Sequence, residues 1–189
     1  MKTRRTDPGR RDRLIDITID LIAESGVAGL SHRKITARAD VPLGSLSYHF
    51  DGMYELLHEA FTRFADAVAD AFTARLSAAA DAAEAQVAVV DLVHQLSGEA
   101  SNRDQVITYE LYTLAARDPR FRRITRDWMC RSRQALERHF DPRTARQLDA
   151  FIEGMAIHRA LDPEPSDRDL TGEAVAKIVA PLHPGNETP

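Results

Sequence analysis

A chain of 189 residues, 43% hydrophobic and 29% charged with a formal net charge of −4, has the composition of a globular protein with room for one small domain and a second helical one. No window approaches the roughly 20 apolar residues that a membrane span requires, and the N-terminus lacks the apolar core of a secretion signal, so a cytoplasmic protein with no membrane partner is expected. The single Cys130 has no partner for an internal disulfide and no cysteine or histidine at zinc-ligand spacing, which argues against a disulfide framework and a cysteine zinc site.

Residues 14 to 57 hold three short apolar-periodic stretches cut by Gly26, by Asp40-Val41-Pro42 and by Asp51-Gly52. Leu14, Ile15, Thr18, Leu21 and Ile22 recur at helical spacing and Gly26 can take a left-handed C-terminal position, so the first helix is expected from about Arg11 to Ser25. Ser31 is a good N-cap for a second helix, His32 to Ala39, whose inward residues are Ile35 and Ala39. Pro42 pushes Val41 toward extended backbone, which stops that helix at about Asp40, while Pro42 itself suits the first turn of a third. The third helix, about Pro42 to His49, has only Leu46 and Phe50 as anchors and leaves Leu43, Ser45, Ser47, Tyr48 and His49 pointing outward. Hydroxyls, an aromatic ring and an imidazole on a helix with so little to bury are what a groove-reading helix offers. The unit reads as helix-turn-helix, with duplex DNA as the leading partner.

Asp51 is a candidate cap for a long fourth helix, and no Gly or Pro interrupts Met53 to Gln95, so two helices separated near Asp81 are expected. Asn102 opens the next, with Val106, Ile107, Leu111, Leu114 and Ala115 as its apolar face. Asp118-Pro119 ends it and starts another, Arg120 to Phe140, with Phe121, Ile124, Trp128 and Leu136 as core. Asp141-Pro142 repeats the device before Arg143 to Leu161. Ser166 with Asp169 three residues on caps a final helix to Ala180, and 183–189 is expected to be a disordered tail. About nine helices with no strand-like alternation make an all-α protein.

Charge agrees with the DNA reading: residues 1 to 50 carry nine basic side chains (Lys2, Arg4, Arg5, Arg10, Arg11, Arg13, Arg33, Lys34, Arg38) against six acidic ones, a formal +3 in a chain of net −4. A solvated tail is the competing account of the Lys2 to Arg13 run taken alone.

The segment resembles the N-terminal domain of the tetracycline-repressor (TetR) family, through Gly26, Ser31, Ile35, Ala39, Val41, Gly44, Ser45, Leu46, His49, Phe50, Leu56 and Leu57. Departures are Thr36 for the usual Ala, Asp40 for the common Gly, Ser47 for a phosphate-touching Tyr, and Met53 for a Lys opening the fourth helix. The resemblance implies that Arg33, Leu43, Ser45, Ser47, Tyr48 and His49 face DNA. Arg33 suits a guanine or a phosphate, Ser45 and Ser47 either, Leu43 a thymine methyl, and Tyr48 or His49 a phosphate oxygen. For His49 a packed, backbone-bonding ring remains the alternative.

The resemblance further implies a head over 1–50 with its basic arm and, over 51–182, a larger helical domain that dimerises and binds a small-molecule effector. The protein would then be a regulator, by family default a repressor released from a palindromic operator. On the 143–161 helix, Leu148, Phe151, Ile152, Met155 and His158 form one stripe, and Ala150, Gly154, Ile157 and Leu161 another. One stripe would face its own subunit and the other a partner copy, an ordinary core helix being the alternative. Polar and aromatic residues within apolar faces suggest an effector pocket among Phe64, His94, Tyr109, Glu110, Tyr112, Trp128 and Met155, unless those groups satisfy one another. With no Gly-rich phosphate loop, no Gly-x-Ser-x-Gly and no second His after His58-Glu59, neither an enzyme nor a cofactor nor a metal is expected. The rival is a helical ligand-binding or interaction module without DNA binding, kept open by Ser47 and Met53 and opposed by Arg33 and the basic arm.

Overall fold

The computed structural model describes residues 9–95, 99–162 and 167–180. Lys2, Arg4 and Arg5 of the basic arm, Ser166, and the expected tail at 183–189 lie outside the described residues. Among the described residues there are nine α-helices and one 3-10 turn: α1 Arg10–Ser25, α2 His32–Arg38, α3 Gly44–His49, α4 Met53–Ser77, α5 Ala82–Gln95, α6 Glu99–Arg117, α7 Pro119–Leu136, α8 Pro142–Leu161 and α9 Arg168–Val179. The expected all-α architecture is what forms. The chain packs as two compact units, residues 1–68 with 102–128, and residues 69–101 with 129–189.

In the first unit the helix-turn-helix follows from local chemistry. α1 ends at Gly26, whose N–H bonds the Ile22 carbonyl at 2.8 Å, and a 3-10 turn, Val27–Gly29, leads on. Ser31 is extended and its hydroxyl accepts the Lys34 N–H at 3.2 Å, the expected N-cap. α2 closes with the Val41 N–H on the Thr36 carbonyl (3.0 Å) and the Asp40 N–H on Ala37 (3.2 Å). That pair is a Schellman ending, and it places Asp40 at φ 51 in the left-handed region, a position most easily filled by glycine. Thr36 is buried because its hydroxyl returns to the His32 carbonyl at 2.8 Å.

Two starts differ from expectation. α3 begins at Gly44 with Leu43 as cap, because Pro42 lies in the preceding turn, its carbonyl accepting the Ser45 N–H at 2.8 Å. For α4, Gly52 at φ 92 carries the cap carbonyl, bonded by Leu56, and the Asp51 N–H is held by the Glu55 carboxylate. Asp51 therefore sits outside the cap it was expected to fill. The inward residues of the head are buried: Leu14, Ile22, Ile35 and Leu46 at 0% exposure and Phe50 at 3%. In the same unit the N-terminal half of α4 runs alongside the start of α7, with Phe121 edge-on to Tyr54 (5.2 Å) and Phe61 (5.9 Å).

The second unit is organised by α5, α8 and α9, which pack on one another. Val89, Val93, Leu136, Ala145, Leu148, Ile152 and Val175 form its core, with Phe151 and Met155 half-buried against it. Asp141 caps α8 by accepting from Arg143 and Thr144, and Asp167 caps α9 by accepting from Asp169 and Leu170. α7 ends at Leu136 rather than Phe140: the His139 N–H takes the Leu136 carbonyl at 3.0 Å in a tighter i→i−3 turn, and the Phe140 ring that follows is buried in this core. On α8, Ala150, Ile157, His158 and Leu161 are exposed, so His158 lies off the buried stripe on which it was expected.

Candidate nucleic-acid interface

α3 is a six-residue helix in which Leu46 alone is buried. Around that anchor, Tyr48 is 74% and Leu43 56% exposed, Ser47 is exposed, and Ser45 and His49 are half-buried. The three apolar or aromatic groups differ in kind: Leu43 is an apolar knob, whereas Tyr48 and His49 stack edge-on at 5.0 Å and His49 tilts toward Phe50 at 6.4 Å. An imidazole in that position is partly a packed ring and partly presented to the surface. On α2, Arg33 is exposed at the second helical position.

The structure divides the basic groups of the head in a way that composition does not reveal. Arg38 forms a two-point pair with Glu24 at 2.6 and 2.9 Å, and Lys34 reaches the Ser25 hydroxyl at 2.7 Å and the Gly29 carbonyl at 3.3 Å. Arg11 pairs with Glu59 and lies 5.0 Å over the Phe50 ring. These three cations therefore hold α1, α2 and α4 together, and exposed pairs of this kind each contribute only about 0–1 kcal/mol. Arg63 on α4 bridges Asp12 and Asp16, and Arg103 on α6 reaches Asp20 at 2.6 Å, so α1 is tied to both helices.

The seven residues considered for an effector separate into groups. Phe64 stands perpendicular to Trp128 at 6.2 Å and Tyr112 tilts on Trp128 at 6.1 Å, so rings from α4, α6 and α7 meet within the first unit. Tyr109 and Glu110 lie half-buried on α6, and the Glu110 carboxylate is turned against Gly26. His94 and Met155 belong to the second unit, Met155 against its core. His94 Nε2 lies 3.0 Å from the Thr171 hydroxyl and its Nδ1 3.3 Å from the Arg159 guanidinium. An arginine can only donate, so Nδ1 is the acceptor and Nε2 carries the proton. Burial first, and then the charge of Arg159, hold His94 below its ordinary value. A separate surface depression of about 440 Å³ between α5 and α9, lined by Val87, Val90, Arg168 and Gly172 among others, involves none of the seven.

A helix-turn-helix head with an exposed six-residue reading helix, on a scaffold of further helices, defines a DNA-binding transcriptional regulator. Residues 14–60 match the family model of bacterial regulatory proteins of the tetR family, and residues 80–181 match the tetracyclin repressor-like C-terminal domain. The chain belongs to the TetR family. It is 59% identical to a solved protein of Streptomyces coelicolor A3(2) classed as a transcriptional regulator, covering 92% of this chain and 100% of that one with a TM-score of 0.86. The multidrug binding protein EbrR, solved with ethidium, is 31% identical over 92% of this chain and 99% of that one, with a TM-score of 0.78. The HTH-type transcriptional regulator BetI of Escherichia coli O157:H7 is 27% identical over 175 residues, 85% of this chain and 87% of the relative. Among the described residues no helix is long and apolar enough to cross a membrane.

Proposed function

We propose that this regulator acts as a homodimer on a palindromic operator, reading it through Arg33, Leu43, Ser45, Ser47, Tyr48 and His49, and that a small organic molecule releases it. The observation that carries the reading is the face of α3, where Tyr48 and Leu43 are largely exposed around a single buried anchor. A six-residue helix offers too few contacts to hold DNA tightly alone, so two copies on two half-sites are required. In this reading residues 1–50 are the DNA-binding part and 51–182 the effector and dimerisation part.

Arg33→Ala is expected to cost roughly 1–3 kcal/mol of operator affinity and to relax preference at one base position, if its fork reads a guanine. Tyr48→Phe, which removes a phosphate-bonding hydroxyl, is expected to weaken all sequences alike and to lower the salt slope by about one. Binding curves across a set of single-base operator variants separate the two outcomes, and wild-type behaviour by both proteins refutes the residue assignment.

For the dimer, the exposed stripe of Ile157 (39%), Leu161 (72%) and Leu170 (63%) supplies an apolar surface on α8 and α9. A twofold axis lets one such surface cover its own copy. A Cβ added at Gly154 meets nothing within 4 Å in the chain. Gly154→Leu is therefore expected to leave the thermal midpoint of the monomer unchanged while shifting sedimentation at micromolar concentration from dimer to monomer. A stable wild-type monomer there removes the dimer from the mechanism.

The effector is proposed to be a mostly apolar molecule with one or two polar groups, seated among those of the expected residues that belong to the first unit, Phe64, Tyr109, Glu110, Tyr112 and Trp128. Aromatic rings and a carboxylate suit a flat organic cation, the chemistry of ethidium, proflavin and malachite green, with which EbrR was solved. α4 carries Phe64 at one point and Tyr54 beside the head at another, so a ligand that favours one setting of α4 would reposition α3. Such coupling amounts to about 1–3 kcal/mol and is reciprocal. Ethidium titrated with and without operator DNA is expected to bind less tightly to the complex, and equal affinities would exclude it as an effector.

A further inference from the structure

The turn from α6 to α7 concentrates cations beside the start of α4. Between residues 117 and 126 there are five arginines, at 117, 120, 122, 123 and 126, and one acid, Asp118. Asp118 accepts the Arg120 backbone N–H at 2.8 Å, which caps α7, and pairs with the Arg120 guanidinium at 2.9 and 3.2 Å. Those bonds, chiefly the one from the Arg120 side chain, pull the Asp118 carboxyl down to about 2, so it is ionised throughout the physiological range. Arg122, also exposed, is engaged with the Ala115 and Ala116 carbonyls at 3.0 and 2.9 Å, where it closes the end of α6. Arg117, Arg120 and Arg123 remain at the surface, all exposed, Arg120 and Arg123 one turn apart on the same side of α7.

The position of this turn is set by Arg120, whose guanidinium stacks 3.7 Å over the Tyr54 ring, and by Phe121 beneath it. Tyr54 is the second residue of α4, and α4 begins four residues after the last residue of α3. Five residue steps from His49 to Tyr54 span at most about 18 Å even fully extended. A helix lying in the major groove, about 12 Å wide, has a sugar-phosphate backbone on either side. A cation stacked on Tyr54 is therefore within reach of the backbone that borders the half-site, at a point where α4 itself opens with Met53 and has only an acid, Glu55, in its first turn.

We propose that Arg117, Arg120 and Arg123 form a second contact with DNA, binding the phosphates that flank the sequence read by α3. The proposal rests on the DNA-binding reading above. It assigns these arginines affinity without base preference: the planar guanidinium of Arg117 or Arg123 can pair with phosphate oxygens in two-point fashion, while Arg120, whose Nε and Nη2 are engaged by Asp118, adds its Nη1 from a position fixed by Tyr54. The three lie more than sixty residues from the helix-turn-helix in sequence and nothing in their spacing connects them to it.

The test uses the full chain and two duplexes, one from the region upstream of its own gene and one of random sequence, with anisotropy measured across a salt series. Arg117→Gln/Arg123→Gln is the informative variant, because Arg120, Tyr54 and Asp118 stay packed and the fold is undisturbed. Each lost phosphate contact is expected to lower the slope of log affinity on log salt by about 0.9, so the pair loses up to about two on both duplexes while the ratio of specific to random binding is retained. Adding Arg120→Gln lowers the slope again. A double variant with the wild-type slope on both duplexes overturns the flanking contact alone. A wild-type protein that binds neither duplex overturns the DNA reading on which it stands, and a variant that loses specificity rather than slope makes these residues base readers and refutes the proposal as stated.

Discussion

Phe121→Ala is expected to lower the unfolding free energy by about 3–5 kcal/mol, the cost of removing a buried phenyl ring and leaving its cavity. Phe121 is 2% exposed. Its ring stands edge-on to Tyr54 and Phe61 and lies 5.9 Å from His58, so three α4 residues over two turns lose their partner at once. Little local backbone can collapse into the gap, because α4 and α7 are regular helices on both sides of it. Urea unfolding should show the midpoint falling with the slope unchanged, the sign that stability and not the extent of unfolding has altered. A loss below about 1 kcal/mol would mean the site relaxes freely and that the α4–α7 seam is not tightly packed. The functional consequence concerns the same seam: Tyr54 and Arg120 are positioned through it, so the variant should also bind DNA more weakly than its residual folded fraction explains.

Gly26→Ala is the second large effect, about 1–3 kcal/mol. Gly26 has φ 66 and ψ 172, a region open almost only to glycine, and a Cβ built there falls 2.4 Å from Glu110 Oε1. Two costs are superposed, and they separate experimentally. The carboxylate is the far end of a flexible side chain and can move aside, whereas the backbone torsion cannot be relieved without re-aiming the chain between α1 and α2. Gly26→Ala/Glu110→Ala should therefore recover less than half of the stability lost by Gly26→Ala. Full recovery in the double variant would show that the contact, and not the torsion, is what requires glycine. Because the 3-10 turn after Gly26 sets where α2 begins, the single variant is expected to lower operator affinity as well.

The helix-turn-helix was legible because its determinants are local. Gly26, the Ser31 cap, the stop before Pro42 and the Asp141 cap each act through hydrogen bonds spanning three to five residues, and Leu14, Ile22, Ile35 and Leu46 are buried where a 3.6-residue period places them. Where two neighbouring residues could do the same work, locality was not enough. The cap carbonyl of α4 belongs to Gly52 rather than Asp51, whose own N–H is held by the Glu55 carboxylate.

Side-chain partners were the part that sequence left open. Nine basic residues near the N-terminus point to DNA as a sum of charge, yet Lys34, Arg38 and Arg11 are engaged with Ser25, Glu24 and Glu59, on other helices or at their ends. Phe64, Tyr112 and Trp128 come from three helices and meet only once these pack, and Glu110 meets Gly26 across 84 positions of chain. The sequence by itself determined that the protein is helical, where its helices start and stop to within a few residues, and that its third helix has a face left exposed around a single buried anchor. Only the tertiary structure decided which cations bind protein and which face outward, and that Arg120 lies on Tyr54 at the start of α4. The reason is that backbone periodicity is a property of neighbouring residues, whereas an ion pair or a ring contact between helices depends on their packing, and a linear spacing carries no record of it.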